Sequence, residues 1–345
     1  MRLLLFKLNH LGDNVVFVPV IQALRERRPD WTLTVVTTPN ERALYGGPLG
    51  AHHVLTSPKE TFDKAYRRPW VLLQWLLRLR MTRPDACLIA FDQGTVAHLA
   101  AKASGARIRV GGNLEHIKVK GSLTHEVPMP DDQRPVTWNW RMMQTLAALL
   151  GEAGAFPEAP PPPRLDHLVL PVGAPPEGRR RIVVHPGSSR PINRWPAERF
   201  AAVARALARD HEVLWIVHGD ARSAAPEGCL ATAVTSLDAF ASLVSSSCLF
   251  LGNNSGPMHL ANALGCPGVA VTGSSALGWD PYWHPERWRA LRVEGLACAP
   301  CESARKTLAG CANLAHPMAC LDLWTAEAVL AACRDLLRSP VALRP

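Results

Sequence analysis

The sequence predicts an α/β protein of two doubly wound, Rossmann-like domains facing each other across a cleft. Three observations carry this reading. Short β-branched or leucine-rich runs alternate with longer helical patterns through both halves of the chain, as parallel α/β domains do. A length of 345 residues is too great for one ordinary core and suits two. Between the halves stands FPEAPPPPRLD, residues 156–166, in which Pro160 to Pro163 cannot continue a helix or a central strand and favour an extended, stiff connector. The expected division is a first domain over 1–156, a proline-rich linker over 157–179 and a second domain over 180–325. A last helix over 326–345 is expected to pack back across the seam.

Each element follows from its local pattern. In the first half, Leu3–Leu8, Thr32–Thr38, Ala86–Phe91 and Ile108–Val110 read as strands, because a strand buried on both faces is a short apolar run. The second half offers Arg181–His185, Glu212–Val217, Cys248–Gly252 and Gly268–Thr272. Helical periodicity covers Val15–Arg28, Ala197–Arg209, Leu237–Ser245, Met258–Leu264 and Ala326–Leu337. Such sheets bind ligands at the carboxyl ends of their strands.

Composition narrows the function. With 48% hydrophobic and 19% charged residues the chain can form a core. Glycine and proline show no collagen period, and no apolar run reaches the roughly eighteen residues of a membrane span. The opening MRLLLFKLNHLGDN reads as a first strand rather than a signal peptide, so a cytosolic protein is expected. Neither a G-x-G-x-x-G fingerprint nor a P-loop is present, which argues against NAD enzymes and P-loop NTPases. Residues 1–165 hold 21 Lys/Arg and 14 Asp/Glu (+7), and residues 166–345 hold 17 and 15 (+2), which together make the net +9. A basic first half suits a phosphorylated glycan, an acidic protein or a membrane surface, or is simply a solvated face. Nucleic acid is not expected, because the basic residues are scattered and accompany no known binding motif.

Three strand-to-helix turns could carry chemistry. In Leu8-Asn9-His10-Leu11-Gly12-Asp13-Asn14, Gly12 permits a tight bend and puts Asp13 at a helix amino end. There it is either an N-cap or a general base for an acceptor hydroxyl. In His185-Pro186-Gly187-Ser188-Ser189, followed by Asn193-Arg194-Trp195-Pro196, successive backbone N–H groups can cradle an anion and Arg194 can neutralise a phosphate. In Gly252-Asn253-Asn254-Ser255-Gly256-Pro257-Met258-His259, a helix amino terminus suits a diphosphate; Ser255 can hydrogen-bond it, and His259 lies in the first turn.

Together these segments resemble glycosyltransferase family nine, the ADP-heptose heptosyltransferases of the GT-B fold, over nearly the whole chain. The points of likeness are the L-G-D start, the H-P-G-S-S…R-W-P run and the G-N-x-S-G-P-M-H-L-A-x-A-L-G run. The resemblance implies direct displacement with inversion at the sugar, Asp13 as base and no metal at the reaction centre. It implies nucleotide contacts from Ser188, Ser189, Asn193, Arg194, Ser255, Gly256 and His259, with Thr235 to Leu237 along the adenine and Asn254 at the diphosphate turn. Two positions depart from the family pattern. Asn193 stands where a lysine is usual, and Asn254 where an aspartate is usual. The first removes a fixed positive charge, which Arg194 can replace; the second exchanges an acceptor-only carboxylate for an amide that also donates.

Nine cysteines complete the inventory. Cys87, Cys248 and Cys266 lie in apolar runs and read as buried thiols, whereas Cys229 and Cys333 are isolated. Cys298, Cys301, Cys311 and Cys320 form C-x2-C-x9-C-x8-C. In a cytosolic loop four thiolates suggest a tetrahedral metal site, zinc or iron, with His316 as a substitute ligand; redox pairing or unligated thiols are the alternative. Within the family, such an insert resembles the iron finger of the autotransporter heptosyltransferases of the TibC type and their BimC-like relatives. That likeness implies an autotransporter passenger as partner, a large ring-like homo-oligomer, and a place at the cell pole or inner-membrane face. Arg67–Arg80 is apolar and flanked by arginines; it either lies at a membrane surface or an oligomer contact, or packs on the first sheet. Trp138-Asn139-Trp140-Arg141 poses the same choice.

Three functions follow. With Asn193 and Asn254 falling at the diphosphate and the cysteine set complete, the sequence favours an iron-binding, heptosyltransferase-like accessory or targeting factor for an autotransporter, with a degenerate nucleotide site. The alternatives are an active ADP-heptose:autotransporter serine heptosyltransferase and a lipopolysaccharide-core heptosyltransferase.

Overall fold

The computed structural model describes residues 1–339 except 92, 113–118, 218–224, 303–307 and 309. It divides into two compact units, Met1–Arg164 and Leu165–Pro345.

In the first unit the chain runs β1 (Arg2–Lys7), α1 (Leu11–Val15), α2 (Val18–Arg27), β2 (Thr32–Thr37), β3 (His53–Thr56), α3 (Lys59–Asp63), α4 (Pro69–Met81), β4 (Ala86–Ile89), α5 (Thr95–Ala103), β5 (Ile108–Gly112), β6 (His125–Val127) and α6 (Pro135–Leu149). The sheet order is β3-β2-β1-β4-β5-β6, and every pair is parallel. β1 is buried from Leu3 onward, as a central strand covered on both faces must be. Trp138 and Trp140 of α6 are core residues, each 1% exposed; their indole N–H groups donate to the Val127 and Pro157 carbonyls. That segment is therefore packing, not a membrane or partner surface.

The second unit contains β7 (Arg181–His185), α7 (Ala197–Leu207), β8 (Glu212–Val217), β9 (Leu230–Ala233), α8 (Leu237–Ser245), β10 (Leu249–Asn253), α9 (Gly256–Ala263), β11 (Gly268–Val271), β12 (Trp288–Leu291), α10 (Ala319–Asp322) and α11 (Ala326–Arg338). Its order, β12-β11-β10-β7-β8-β9, repeats the first sheet strand for strand, again all parallel. The last helix, α11, buries Val329, Cys333, Leu336 and Leu337 in the core of this same unit. Burial of a valine or leucine side chain of this kind contributes about 1.5–3 kcal/mol.

In both sheets the strand order reverses at one place, between β1 and β4 in the first and between β7 and β10 in the second. Loops leaving the carboxyl ends of those strands diverge and leave a crevice. The three turns singled out by sequence leave β1, β7 and β10.

Candidate functional site

At the first crevice β1 delivers Lys7, a fully buried lysine. Its Nζ donates to the Phe91 carbonyl at 2.8 Å, lies 3.5 Å from Asp13 Oδ1 and sits over the Phe91 ring. Asp13 is the third residue of α1, whose cap position is His10, and no side chain caps that helix. The capping role is therefore excluded: the carboxylate turns to Lys7 and keeps 15% side-chain exposure. Asn14 fixes the turn. Its Nδ2 donates to the Asn9 and His10 carbonyls, and its Oδ1 accepts from the Thr37 and Tyr45 hydroxyls. From the loop after β4, the Gln93 carboxamide accepts from Leu8 N, and Asn139 of α6 accepts from Phe91 N.

Glu41, which the sequence reading did not single out, is buried near this carboxylate. Burial pushes its pKa up to about 7, and the negative charge of Asp13 adds to the shift. The folded protein thus keeps a proton that the unfolded chain, near the ordinary 4.5, releases. The stability from that bound proton is complete below about pH 4.5 and is lost as pH rises through about 7. We expect the free energy of urea unfolding of the parent to fall between about pH 5 and about pH 8 relative to Glu41→Gln, by on the order of 2 kcal/mol after allowance for partial solvation. Parallel pH curves for the two proteins would exclude Glu41 as the titrating group.

At the second crevice Asn253, fully buried at the end of β10, ties two loops together. Its Oδ1 accepts from Trp195 N at 2.8 Å, and its Nδ2 donates to the Pro186 and Gly187 carbonyls. Gly252 precedes it because a Cβ there would stand 3.1 Å from the His185 carbonyl and 2.8 Å from the Phe250 ring. Ser255 occupies the cap position of α9, but its hydroxyl turns back to the Asn253 carbonyl, and no side chain caps the helix. Pro257 has no N–H and those of Met258 and His259 donate to the Ser255 carbonyl, so what this terminus offers an anion is the Gly256 N–H and the positive end of the helix dipole. His259 is buried in the first turns with its ring edge-on to Trp279.

The two departures from the family pattern are both built in. Asn254 is buried, and its Nδ2 donates to Asp280 Oδ1 at 3.1 Å. Arg292 grips Asp280 through Nε and Nη2. An aspartate at 254 would face the Asp280 carboxylate, so an amide is the residue this environment accepts. Asn193 is buried with Oδ1 2.7 Å from the Ser274 hydroxyl, which also lies 3.0 Å from Glu302 Oε2. Glu302 in turn receives both Nη groups of Arg190, which hold its pKa down although burial opposes them. Arg194 is exposed and donates to the Ser188 carbonyl. The Ser188 hydroxyl accepts from Arg190 N, while Ser189 is exposed. Thr235 is exposed and Leu237 half-buried, and between them Ser236 caps α8 by accepting from Ala239 N.

Glu302 adjoins the cysteine segment. Cys298, Cys301, Cys311 and Cys320 line one small cavity of about 10 Å³, and all four are free thiols. The Cys298 and Cys311 sulfurs accept N–H bonds from Asn313 Nδ2 and Met318 N, the contacts that ligating thiolates receive. Burial pushes the Cys320 thiol up to about 11, with the other three sulfurs adding to it. His316 is exposed. Among the described residues no three His, Cys, Asp or Glu side chains are already disposed as metal ligands. The four thiols therefore share a cavity of atomic size without forming a closed ligand set.

The family model described as glycosyltransferase family 9 (heptosyltransferase) matches residues 124–311, more than half of the chain. The chain belongs to glycosyltransferase family 9. This family 9 protein is 24% identical over 303 residues to lipopolysaccharide heptosyltransferase 3 of Escherichia coli, covering 79% of this chain and 83% of the relative. Among solved structures, E. coli ADP-heptose lps heptosyltransferase II superposes with a TM-score of 0.68 at 20% identity over 98% of each chain. The iron-containing dodecameric glycosyltransferase TibC of enterotoxigenic E. coli H10407 superposes at 0.59 and 14% identity, over 98% of this chain and 76% of that one. These structures share the α/β GT-B fold of two parallel sheets. No helix among the described residues is long and apolar enough to cross a membrane.

Proposed function

We propose that this family 9 chain is a working, inverting heptosyltransferase that uses ADP-heptose, with Asp13 as the base and an iron ion held by Cys298, Cys301, Cys311 and Cys320. The observation that carries the reading is that Asn193 and Asn254, the residues that suggested decay, sit in buried hydrogen-bond networks with partners suited to an amide. Both amides have hydrogen-bond partners, so neither departure leaves a buried side chain unmet. Ser188, Asn254, Ser255, Gly256 and His259 would bind the diphosphate at the uncapped α9 terminus, Thr235 to Leu237 the adenine, and Arg194 or Arg190 the leaving charge. The chemistry of the donor set fits a soft cation, because four thiols line one cavity and two sulfurs already accept N–H bonds. Such an ion would fix the loop rather than enter the chemistry; zinc is the alternative metal.

The cysteine finger, with the fold likeness to the iron-containing TibC, favours a hydroxyl on an autotransporter passenger as acceptor and a ring of subunits. The likeness to lipopolysaccharide heptosyltransferase 3 and the basic first half favour a core glycan. Incubation with ADP-heptose should release ADP in the presence of one of these acceptors, with a heptose-sized mass gain on it. Absence of ADP release with both would return the chain to the accessory role. Protein made in iron-replete medium should carry about one iron per chain, lost when the four cysteines become serine; a metal-free parent would overturn the metal assignment.

A further inference from the structure

The helix α4 is largely apolar, broken only by Gln74, Arg78 and Arg80, yet only half of it is covered. Its inner residues Val71, Leu72, Trp75, Leu76 and Leu79 pack into the core beneath the first sheet. Its outer stripe is bare: Trp70 is 63% exposed, Leu73 56%, Leu77 53% and Met81 80%, and Tyr66 in the preceding turn is 58% exposed. Positions 70, 73, 77 and 81 follow at steps of three and four within α4, so they form one continuous ridge, and Tyr66 stands exposed in the turn before it. An amphipathic surface helix would put polar residues there, and a ridge of four large apolar side chains marks a contact surface.

Charge identifies the partner. From residue 64 to residue 84 the chain carries Lys64, Arg67, Arg68, Arg78, Arg80 and Arg83 and no acidic residue. Among the described residues, none of these six is in an ion pair. Arg67 and Arg78 lay their guanidinium groups over the Tyr66 and Trp75 rings, at 5.7 and 5.4 Å from the centroids, which holds their stems against the apolar body. A second copy brought up by a two-fold axis would set this positive ridge on itself. Convex shape, aromatic residues at one end and flanking arginines are the features of a helix that lies in the interface of a bilayer.

We infer that the outer face of α4 docks the protein on an anionic phospholipid surface, with Trp70, Leu73 and Leu77 entering the headgroup boundary and the arginines meeting lipid phosphates. The inference does not depend on the acceptor or on turnover.

Co-sedimentation tests it, with vesicles of phosphatidylcholine alone and of phosphatidylcholine mixed with phosphatidylglycerol. The parent should bind the mixed vesicles at least about tenfold more tightly than the neutral ones, and less tightly as salt is raised. Trp70→Ser with Leu73→Ser and Leu77→Ser should lose about tenfold or more, as should Arg67→Glu with Arg68→Glu and Arg78→Glu. All six side chains lie outside the core, so unchanged circular dichroism and melting are expected for both. A parent that ignores both vesicles, or variants that sediment like the parent, would overturn the inference. If the parent ignores vesicles and the apolar variant converts a dimer to a monomer, the face belongs to a second copy.

Discussion

Asp13→Asn should lower turnover by about 10²- to 10⁴-fold, the usual worth of a positioned general base, while leaving ADP affinity close to that of the parent. Asparagine keeps the shape of the side chain but cannot take the acceptor's proton. The nucleotide contacts proposed for this chain come from the turns after β7, between β9 and α8, and between β10 and α9, not from the β1 turn that carries Asp13. Lys7 would lose the opposing charge but retain the Phe91 carbonyl at 2.8 Å and the Phe91 ring, so the turn should stay folded; a melting curve checks this. The measurement is steady-state ADP release at saturating donor. A variant that turns over at the parent's rate would remove Asp13 from the chemistry and leave it a partner of a buried lysine.

The second large effect is expected at Asn253→Ala. The carboxamide holds the Trp195 N–H and the Pro186 and Gly187 carbonyls across two loops. Its removal strands these buried groups, each worth about 1–3 kcal/mol when unsatisfied, so a loss of about 3 kcal/mol in urea unfolding is expected. The same change frees the Ser188 loop from the α9 terminus, and ADP should bind about tenfold or more weakly. Calorimetry with ADP reads this directly. Unchanged ADP affinity in a destabilised protein would show that the loop pair is structural and the nucleotide lies elsewhere.

The central strands were legible because burial on both faces writes an uninterrupted apolar run into the sequence. Arg181–His185 and Glu212–Val217 were read with the bounds they have in the structure. The four strands that escaped, β3, β6, β9 and β12, are the four sheet edges. An edge strand is short and covered on fewer sides. LATA of β9, for instance, has no buried residue at all, so no run distinguishes it from a loop. The helix read as Val15–Arg28 begins at Val18 as α2, and a separate short turn, α1 over Leu11–Val15, precedes it.

At the site, glycine-containing turns announced themselves through local chemistry. Their supports did not. Glu41 approaches Asp13 from a loop 28 positions away, and Glu302 reaches Arg190 across 112 residues; only the strand order brings such partners together. Asn193 and Asn254 were legible as departures, but what they meant depended on Ser274 and Asp280, which carry no motif.

The repeated strand order has a consequence for biosynthesis. Every strand neighbour is parallel, so no hairpin is available to start either sheet. β1 gains its second partner only through Leu3 opposite Ala86, when a quarter of the polypeptide has been made. Each sheet is nevertheless drawn from one uninterrupted stretch of chain. The amino-terminal half can therefore complete its folding on the ribosome before the carboxyl-terminal half emerges.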